Sequence, residues 1–125
     1  MQAQMANMQA QTQTQMATLT EQLTNLQELL TNSQALQLVI NANSRRRIHN
    51  SKAYNDKPLI PLLCENPGSA NFNTSPIEIF PVNIEVVLGQ TTNAQLNELQ
   101  EFYGENFSGN SVIQKRKSFL NFIGV

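Results

Sequence analysis

The sequence has little of what catalytic or secreted domains usually carry. Only 14% of its 125 residues are charged, tryptophan is absent, and Cys64 is the single cysteine. One cysteine excludes an internal disulfide, so we expect a reducing compartment. The longest apolar runs, such as Leu38–Ile40, are far too short to span a membrane, and the first residues lack the basic and apolar regions of a signal peptide. These absences predict an intracellular protein, nuclear or cytoplasmic, without a membrane partner.

Glycine and proline are missing from residues 1–57, whereas five of each follow. This asymmetry excludes one uniform domain and predicts a mainly α-helical chain in two parts. Residues 1–44 are predicted to form a glutamine-rich amphipathic helix. Residues 45–125 are predicted to form a small, proline-containing, α-rich module. Within the module we expect a basic collar (45–57), an extended segment (58–91) and a helix–loop–helix (92–125).

An apolar stripe with alternating three- and four-residue spacing runs through the first part: Met16, Leu19, Leu23, Leu26 and Leu30. This spacing predicts an amphipathic helix from about Ala10 to about Asn43 that oligomerises as a coiled coil through these five residues. The alternative is a helix that folds back on the chain's own C-terminal half. Beyond Leu30 this stripe weakens. A shifted stripe serves the second half better, which indicates a phase slip near Leu29–Leu30; it runs through Leu26, Leu29, Ser33, Leu36 and Ile40.

The flanks of this stripe carry glutamine, threonine and asparagine where strong coiled coils carry glutamate and lysine. Only Glu21 and Glu28 are charged within residues 1–44. Interhelical ion pairs that would select a partner are therefore nearly missing. The first fifteen residues are predicted to be a frayed or disordered lead-in.

Prolines exclude a long helix between residues 58 and 81. Two short apolar segments, Leu59–Cys64 and Ile77–Phe80, fit either a small β-hairpin or packed irregular structure. Residues Ile84–Leu88 fit either a strand or a one-turn helix that Asn83 caps and Gly89 ends.

The pattern after residue 91 predicts two helices. Thr92 and Gln95 have the spacing of a capping box, and Gly104 is placed to end the helix that they begin. Ser111 and Gln114 repeat the capping-box spacing, and Gly124 supplies the second stop. We therefore expect a helix–loop–helix hairpin.

The segment from Thr92 to Leu120 resembles a SAP motif, a helix–extended loop–helix unit. The shared residues are Leu96, Leu99, Tyr103-Gly104 and Ser108-Gly109. SAP motifs commonly bind DNA, so the resemblance implies a nucleic-acid partner.

A broader resemblance covers residues 45–125. The residues that carry it are Arg47-x-x-Asn50, Pro58-Leu59-x-Pro61-Leu62, Phe80-Pro81, Leu96-x-x-Leu99, Tyr103-Gly104, Lys115-Arg116 and Phe122-Ile123-Gly124-Val125. This order resembles the C-terminal domain of a fungal meiotically up-regulated protein family. The resemblance implies a fungal source and a role in sexual or nuclear processes. That family has no assigned activity, so no site carries over.

The sequence offers few groups for catalysis or metal binding. His49 and Cys64 are the strongest candidates, but a structural zinc site needs four such ligands and a catalytic one usually three. No phosphate-binding glycine loop or nucleophile-elbow motif occurs, and the carboxylates are scattered singly. We predict no catalytic residues, no metal site and no cofactor, and hence that the protein is not an enzyme.

Basic residues form two clusters: Arg45, Arg46, Arg47 and Lys52, with His49 and Lys57 nearby, and Lys115, Arg116 and Lys117. Between Pro58 and Gln114 there are six acids and no base. The first cluster fits either phosphate contacts or a nuclear-import tag, or else a solvated helix end. For the second we favour ion pairs with Glu101 and Glu105 across the helix–loop–helix over nucleic-acid contacts.

These observations favour a non-enzymatic interaction protein. Its N-terminal helix would oligomerise, with itself or with a coiled-coil partner, and its C-terminal module would present a helix–loop–helix to a protein. The alternative is a nuclear nucleic-acid-binding module that uses both basic clusters.

Overall fold

The computed structural model describes residues 2–125, which form four helices and no sheet. They are α1 (Gln2–Lys52), α2 (Ile84–Gly89), α3 (Asn93–Tyr103) and α4 (Val112–Phe122). The chain divides into two compact units, one ending at Ala35 and one spanning Leu36–Val125. The mainly helical fold class is therefore confirmed. The C-terminal unit begins earlier than the predicted module because Val39 and Asn43 are buried in it.

Helix α1 is longer than the amphipathic pattern indicated. It includes the predicted lead-in and continues through the basic collar as far as Lys52, because no glycine or proline interrupts it before Pro58. The chain then turns: the amide of Ala53 donates to the carbonyl of Asn50 at 3.1 Å, and that of Lys57 to Tyr54 at 2.9 Å.

The core of the C-terminal unit lies where its helices meet the extended segment. Its fully buried apolar residues are Leu62, Cys64, Val87, Leu99, Phe119 and Ile123. Aromatic rings meet edge to face within it, with Phe119 packed against Phe80 and Phe107 at centroid distances of 5.6 and 5.4 Å. This geometry is the one that aromatic pairs prefer.

The β-hairpin considered for Leu59–Cys64 and Ile77–Phe80 is wrong. Among residues 2–125 the extended segment makes one isolated parallel bridge, between Cys64 and Phe72. Residues 77–80 form a tight turn instead, in which the amide of Phe80 donates to the carbonyl of Pro76 at 2.9 Å. Prolines remove amide donors that a ladder needs. Side chains of α1 instead bind the carbonyl of Pro61 and both the amide and the carbonyl of Ile60 and of Leu63.

The structure confirms both C-terminal helices that the cap signals predicted, and it decides the open alternative at residue 84 in favour of a helix. Segment 84–89 is a helix whose cap, Asn83, accepts from the amide of Val86 at 2.9 Å. At α3 the capping box is complete: Thr92 Oγ1 accepts from Gln95 N at 3.2 Å, and Gln95 Oε1 accepts from Thr92 N at 2.9 Å. Gly104 ends this helix in the left-handed conformation at φ 66°.

Only half of the second capping box forms. Ser111 Oγ accepts from the amide of Gln114 at 3.2 Å, but the Gln114 side chain accepts from Asn110 at 2.7 Å rather than from Ser111. After α4, Gly124 has φ 99°, and a Cβ there would lie 2.6 Å from the carbonyl oxygen of Arg47. A glycine is therefore needed to let α4 end against α1.

Candidate interaction site

The predicted oligomerisation stripe lies open on the N-terminal part of α1. The exposed fractions are 62% for Met16, 64% for Leu19, 57% for Leu23, 62% for Leu26 and 60% for Leu30. The stripe is therefore not a core element of the single chain. Five side chains of this size in one helical row form an apolar surface that water disfavours.

Threonines on several faces of the same helix bond their own hydroxyl groups to the backbone. Thr12, Thr14, Thr18, Thr20 and Thr24 each donate to the carbonyl four residues earlier at 2.9–3.0 Å. A hydroxyl that is already bonded costs little to remove from water. A partner helix on the stripe would therefore leave no unpaired hydroxyl at Thr20, which lies beside it.

The bases of the collar differ in their surroundings, since two arginines are half-buried and the others are exposed. Arg46 and Arg47 are half-buried and hold the fold together: Arg46 donates to the carbonyl of Pro61 at 2.7 Å, and Arg47 to that of Phe122 at 2.9 Å. Arg47 also forms an ion pair with Glu65 at 3.6 Å and lies 5.4 Å from the centre of the Phe122 ring. Arg45 and Lys52 are exposed.

The second basic cluster does not pair as predicted. Lys115 Nζ donates to the Asn93 side chain at 3.0 Å, and Arg116 donates to the carbonyls of Leu88 and Thr91, both at 2.8 Å. The expected ion pairs with Glu101 and Glu105 are therefore wrong. Carbonyls at the end of α2 carry partial negative charge, so the Arg116 guanidinium is favourably placed there.

The two basic clusters lie at opposite ends of α4. Arg47 contacts Phe122 at the end of the helix, whereas Lys115 and Arg116 lie in its first turns, roughly 10 Å away along its axis. Lys117 is exposed. Arg47 and Arg116 therefore bind backbone carbonyls at different ends of α4.

Sequence reasoning missed the contacts that organise the extended segment, which are made by two buried asparagines of α1. Asn50 accepts from the amide of Ile60 at 2.8 Å and donates to the carbonyls of Ile60 and Ile123, both at 3.0 Å. Asn43 binds Leu63 in the same way, accepting from its amide at 2.7 Å and donating to its carbonyl at 2.8 Å. Each amide side chain thus does what a neighbouring strand would do for the backbone.

Three side chains with reactive groups, those of His49, Cys64 and Tyr103, are either buried or in contact with a backbone carbonyl. Cys64 is buried, and His49 is an exposed side chain 3.2 Å from the carbonyl oxygen of Pro58. Burial raises the pKa of the Tyr103 hydroxyl, which donates to the carbonyl of Leu62 at 2.7 Å. Within residues 2–125 no three His, Cys, Asp or Glu side chains come together as metal ligands. No helix in that range is long and apolar enough to cross a bilayer.

Comparison with known proteins gave no match to a family model, a curated protein or a solved structure. The resemblances to the SAP motif and to the fungal meiotic family remain predictions that rest on the residues given above.

Proposed function

We propose that this chain is a non-enzymatic self-assembling protein whose α1 stripe joins copies and whose C-terminal unit is presented for binding. The observation that carries the proposal is the row of five large apolar side chains, each at least 57% exposed, on one continuous helix. Its apolar area is of the kind that proteins cover in an interface.

The heptad register supports a second copy as the partner. With Met16 at position a, Leu23 and Leu30 also occupy a, and Leu19 and Leu26 occupy d. The acids Glu21 and Glu28 then both fall at position f, on the side of the helix away from the seam.

Positions e and g next to the seam are uncharged. They are occupied by Gln15, Gln22, Leu29, Thr20 and Gln27. Like charges facing each other are what usually prevents two identical helices from pairing. Because the flanks carry none, identical copies meet no electrostatic penalty, and Leu29 adds apolar area beside the seam.

The sharpest test replaces two seam leucines by glutamine, which keeps the helix propensity and the charge. We expect the full-length Leu19→Gln/Leu26→Gln variant to be monomeric where the unmodified chain is oligomeric. Each leucine contributes about 1.5–3 kcal/mol on burial, so association should weaken more than about a hundredfold. Analytical ultracentrifugation measures the change.

The matched control places glutamines on the same helix outside the seam. Thr18→Gln/Asn25→Gln occupies position c and should leave the oligomer intact. If the unmodified chain is monomeric at all concentrations, or if both variants behave alike, the stripe is not an assembly surface.

The alternative function, nucleic-acid binding by a SAP-like module, draws support from the exposed Arg45, Lys52 and Lys117. Binding through several phosphates should weaken steeply as salt rises. We expect a charge-reversing triple variant at these positions to abolish any shift of duplex DNA or RNA. A flat salt response of the unmodified chain, or no binding at low salt, removes this alternative.

A further inference from the structure

Two surface features of the C-terminal unit are complementary to each other. One is the Ile77 turn (Ser75–Phe80), which projects an apolar residue next to an acid. The other is the collar pocket, lined by His49, Lys52, Ala53, Tyr54, Lys57 and Pro58, an apolar hollow with bases at its rim. We propose that the Ile77 turn of one copy docks in the collar pocket of a second copy.

The Ile77 turn is rigid and its tip is open. The amides of Ile79 and Phe80 donate to the carbonyl of Pro76 at 3.1 and 2.9 Å, and Phe80 and Pro76 are buried. The turn is thus anchored from below. Ile77 is 77% exposed, more than any other large apolar side chain among the described residues. Docking a preformed tip loses little conformational entropy.

The collar pocket is an open depression with room and an apolar lining for such a tip. Its volume is about 300 Å³, and most of its lining surface is carbon. The pocket is held in shape by the Tyr54–Lys57 turn and by the 3.2 Å contact between His49 Nε2 and the Pro58 carbonyl oxygen. An apolar side chain that enters it would leave water for carbon contacts.

Charge complements shape in this arrangement. Glu78, beside the apolar tip, is exposed, as are Lys52 and Lys57 at the pocket rim. None of these three forms an ion pair within the described chain, where the Arg47–Glu65 pair is found. With Ile77 in the pocket, Glu78 would meet these lysines, which favours a second copy over a partner of unrelated charge.

The contact is heterologous, since a turn on one copy meets a pocket on the next. Such contacts propagate unless a rotation closes them into a ring. One tip buries far less than the area of a stable interface, so the strength of this contact rests on the proposed function. A stripe-joined oligomer carries several turns and pockets, and linkage raises their effective concentration.

Sedimentation of the full chain against concentration, at low and high salt, tests the docking. We expect the unmodified oligomer to associate further as concentration rises and to do so less at high salt, because exposed charges are screened. The Ile77→Asp variant should weaken this second step about tenfold or more. Ile113→Asp, which alters a side chain 60% exposed on α4, is the matched control and should have no effect.

Exchanging the charges of the turn and of the pocket rim tests whether the collar pocket is the surface that receives the Ile77 turn. Glu78→Lys should weaken the second step, as should Lys52→Glu/Lys57→Glu, and combining all three changes should restore it to within about threefold. Absence of a second step in the unmodified chain, equal effects of the two isoleucine variants, or failure of the combined variant to recover would each overturn the docking proposal.

The seam variant Leu19→Gln/Leu26→Gln separates this proposal from the proposed function. If the stripe does not join copies but the smallest species is an oligomer joined elsewhere, that variant leaves this species unchanged while Ile77→Asp still weakens its further association, and the docking stands. If the docking is wrong, the seam variant reduces the smallest species to a monomer while Ile77→Asp changes nothing.

Discussion

Residues up to Ala35 and residues from Leu36 onward use the same residue types but place them in different surroundings. Leu23 is 57% exposed in the first unit, whereas Leu99 is 0% exposed in the second. The Thr24 hydroxyl donates to a carbonyl within α1, whereas the Thr92 hydroxyl accepts from an amide at the start of α3. Residue type therefore says little about role here. The second unit adds partners that lie far along the chain, as for Leu99 in the core, whereas the side-chain bonds of Thr24 and Thr92 both stay within about one helical turn.

Matched leucine substitutions should show the largest difference between the units. Leu99→Ala removes a fully buried side chain and should lower the free energy of unfolding by about 2–5 kcal/mol, because transfer and cavity costs add. Leu23→Ala should cost the monomer almost nothing. Denaturant unfolding, at a concentration where light scattering shows monomer, measures both. Equal losses would mean that the stripe is covered within one chain.

Matched asparagine substitutions should give the next largest difference. Asn50→Ala leaves the amide and carbonyl of Ile60 and the carbonyl of Ile123 without their partner, and should cost about 3 kcal/mol. Asn25→Ala, on exposed helix, should stabilise α1 by a few tenths of a kcal/mol through propensity. The same unfolding experiment compares them.

The Asn50→Asp variant refines this test. Aspartate keeps an acceptor for the Ile60 amide but faces the two carbonyl oxygens with negative charge instead of a donor. It should therefore be no more stable than Asn50→Ala at neutral pH. A stable Asn50→Asp protein would show that the donor bonds contribute little.

Matched threonine substitutions should give the smallest difference. Thr92→Ala removes the acceptor for the Gln95 amide and should cost about 1 kcal/mol, and Thr92→Ser should recover most of it. At Thr24 the same change to alanine should be neutral or slightly stabilising, since a hydroxyl bonded to the preceding turn adds little. A loss at Thr24 similar to that at Thr92 would contradict this view of the first unit.

Local signals explain which parts of the fold were predictable from the sequence. The Thr92–Gln95 capping box and the left-handed Gly104 depend on neighbours within a few residues, and both predictions are confirmed. The Asn50 contacts join it to Ile60 and Ile123, 10 and 73 positions away, and no spacing pattern in the sequence indicates such pairs. The same holds for Arg116, whose carbonyl partners lie 25 and 28 positions away.

The error in the extended segment has a related cause. An apolar run such as Leu59–Cys64 indicates which residues will be buried. It does not indicate which groups will form hydrogen bonds with the backbone of that run. Here side chains of a helix replace the neighbouring strand, which a pattern of apolar residues cannot distinguish from a hairpin. The exposed stripe is a different case: its residues are open to solvent in the single chain, and coiled-coil pairing through them stays a prediction.

The contacts between α1 and the end of α4 also bear on the order in which the two units fold. Arg47 and Asn50 reach Phe122 and Ile123 across separations of 75 and 73 residues. Closing loops of that length slows folding, whereas helix formation from local bonds takes about a microsecond. The first unit can therefore become helical, and offer its stripe to a neighbour, before the second unit has closed. If the stripe joins copies as we propose, newly made chains would meet through α1 while their C-terminal units are still folding.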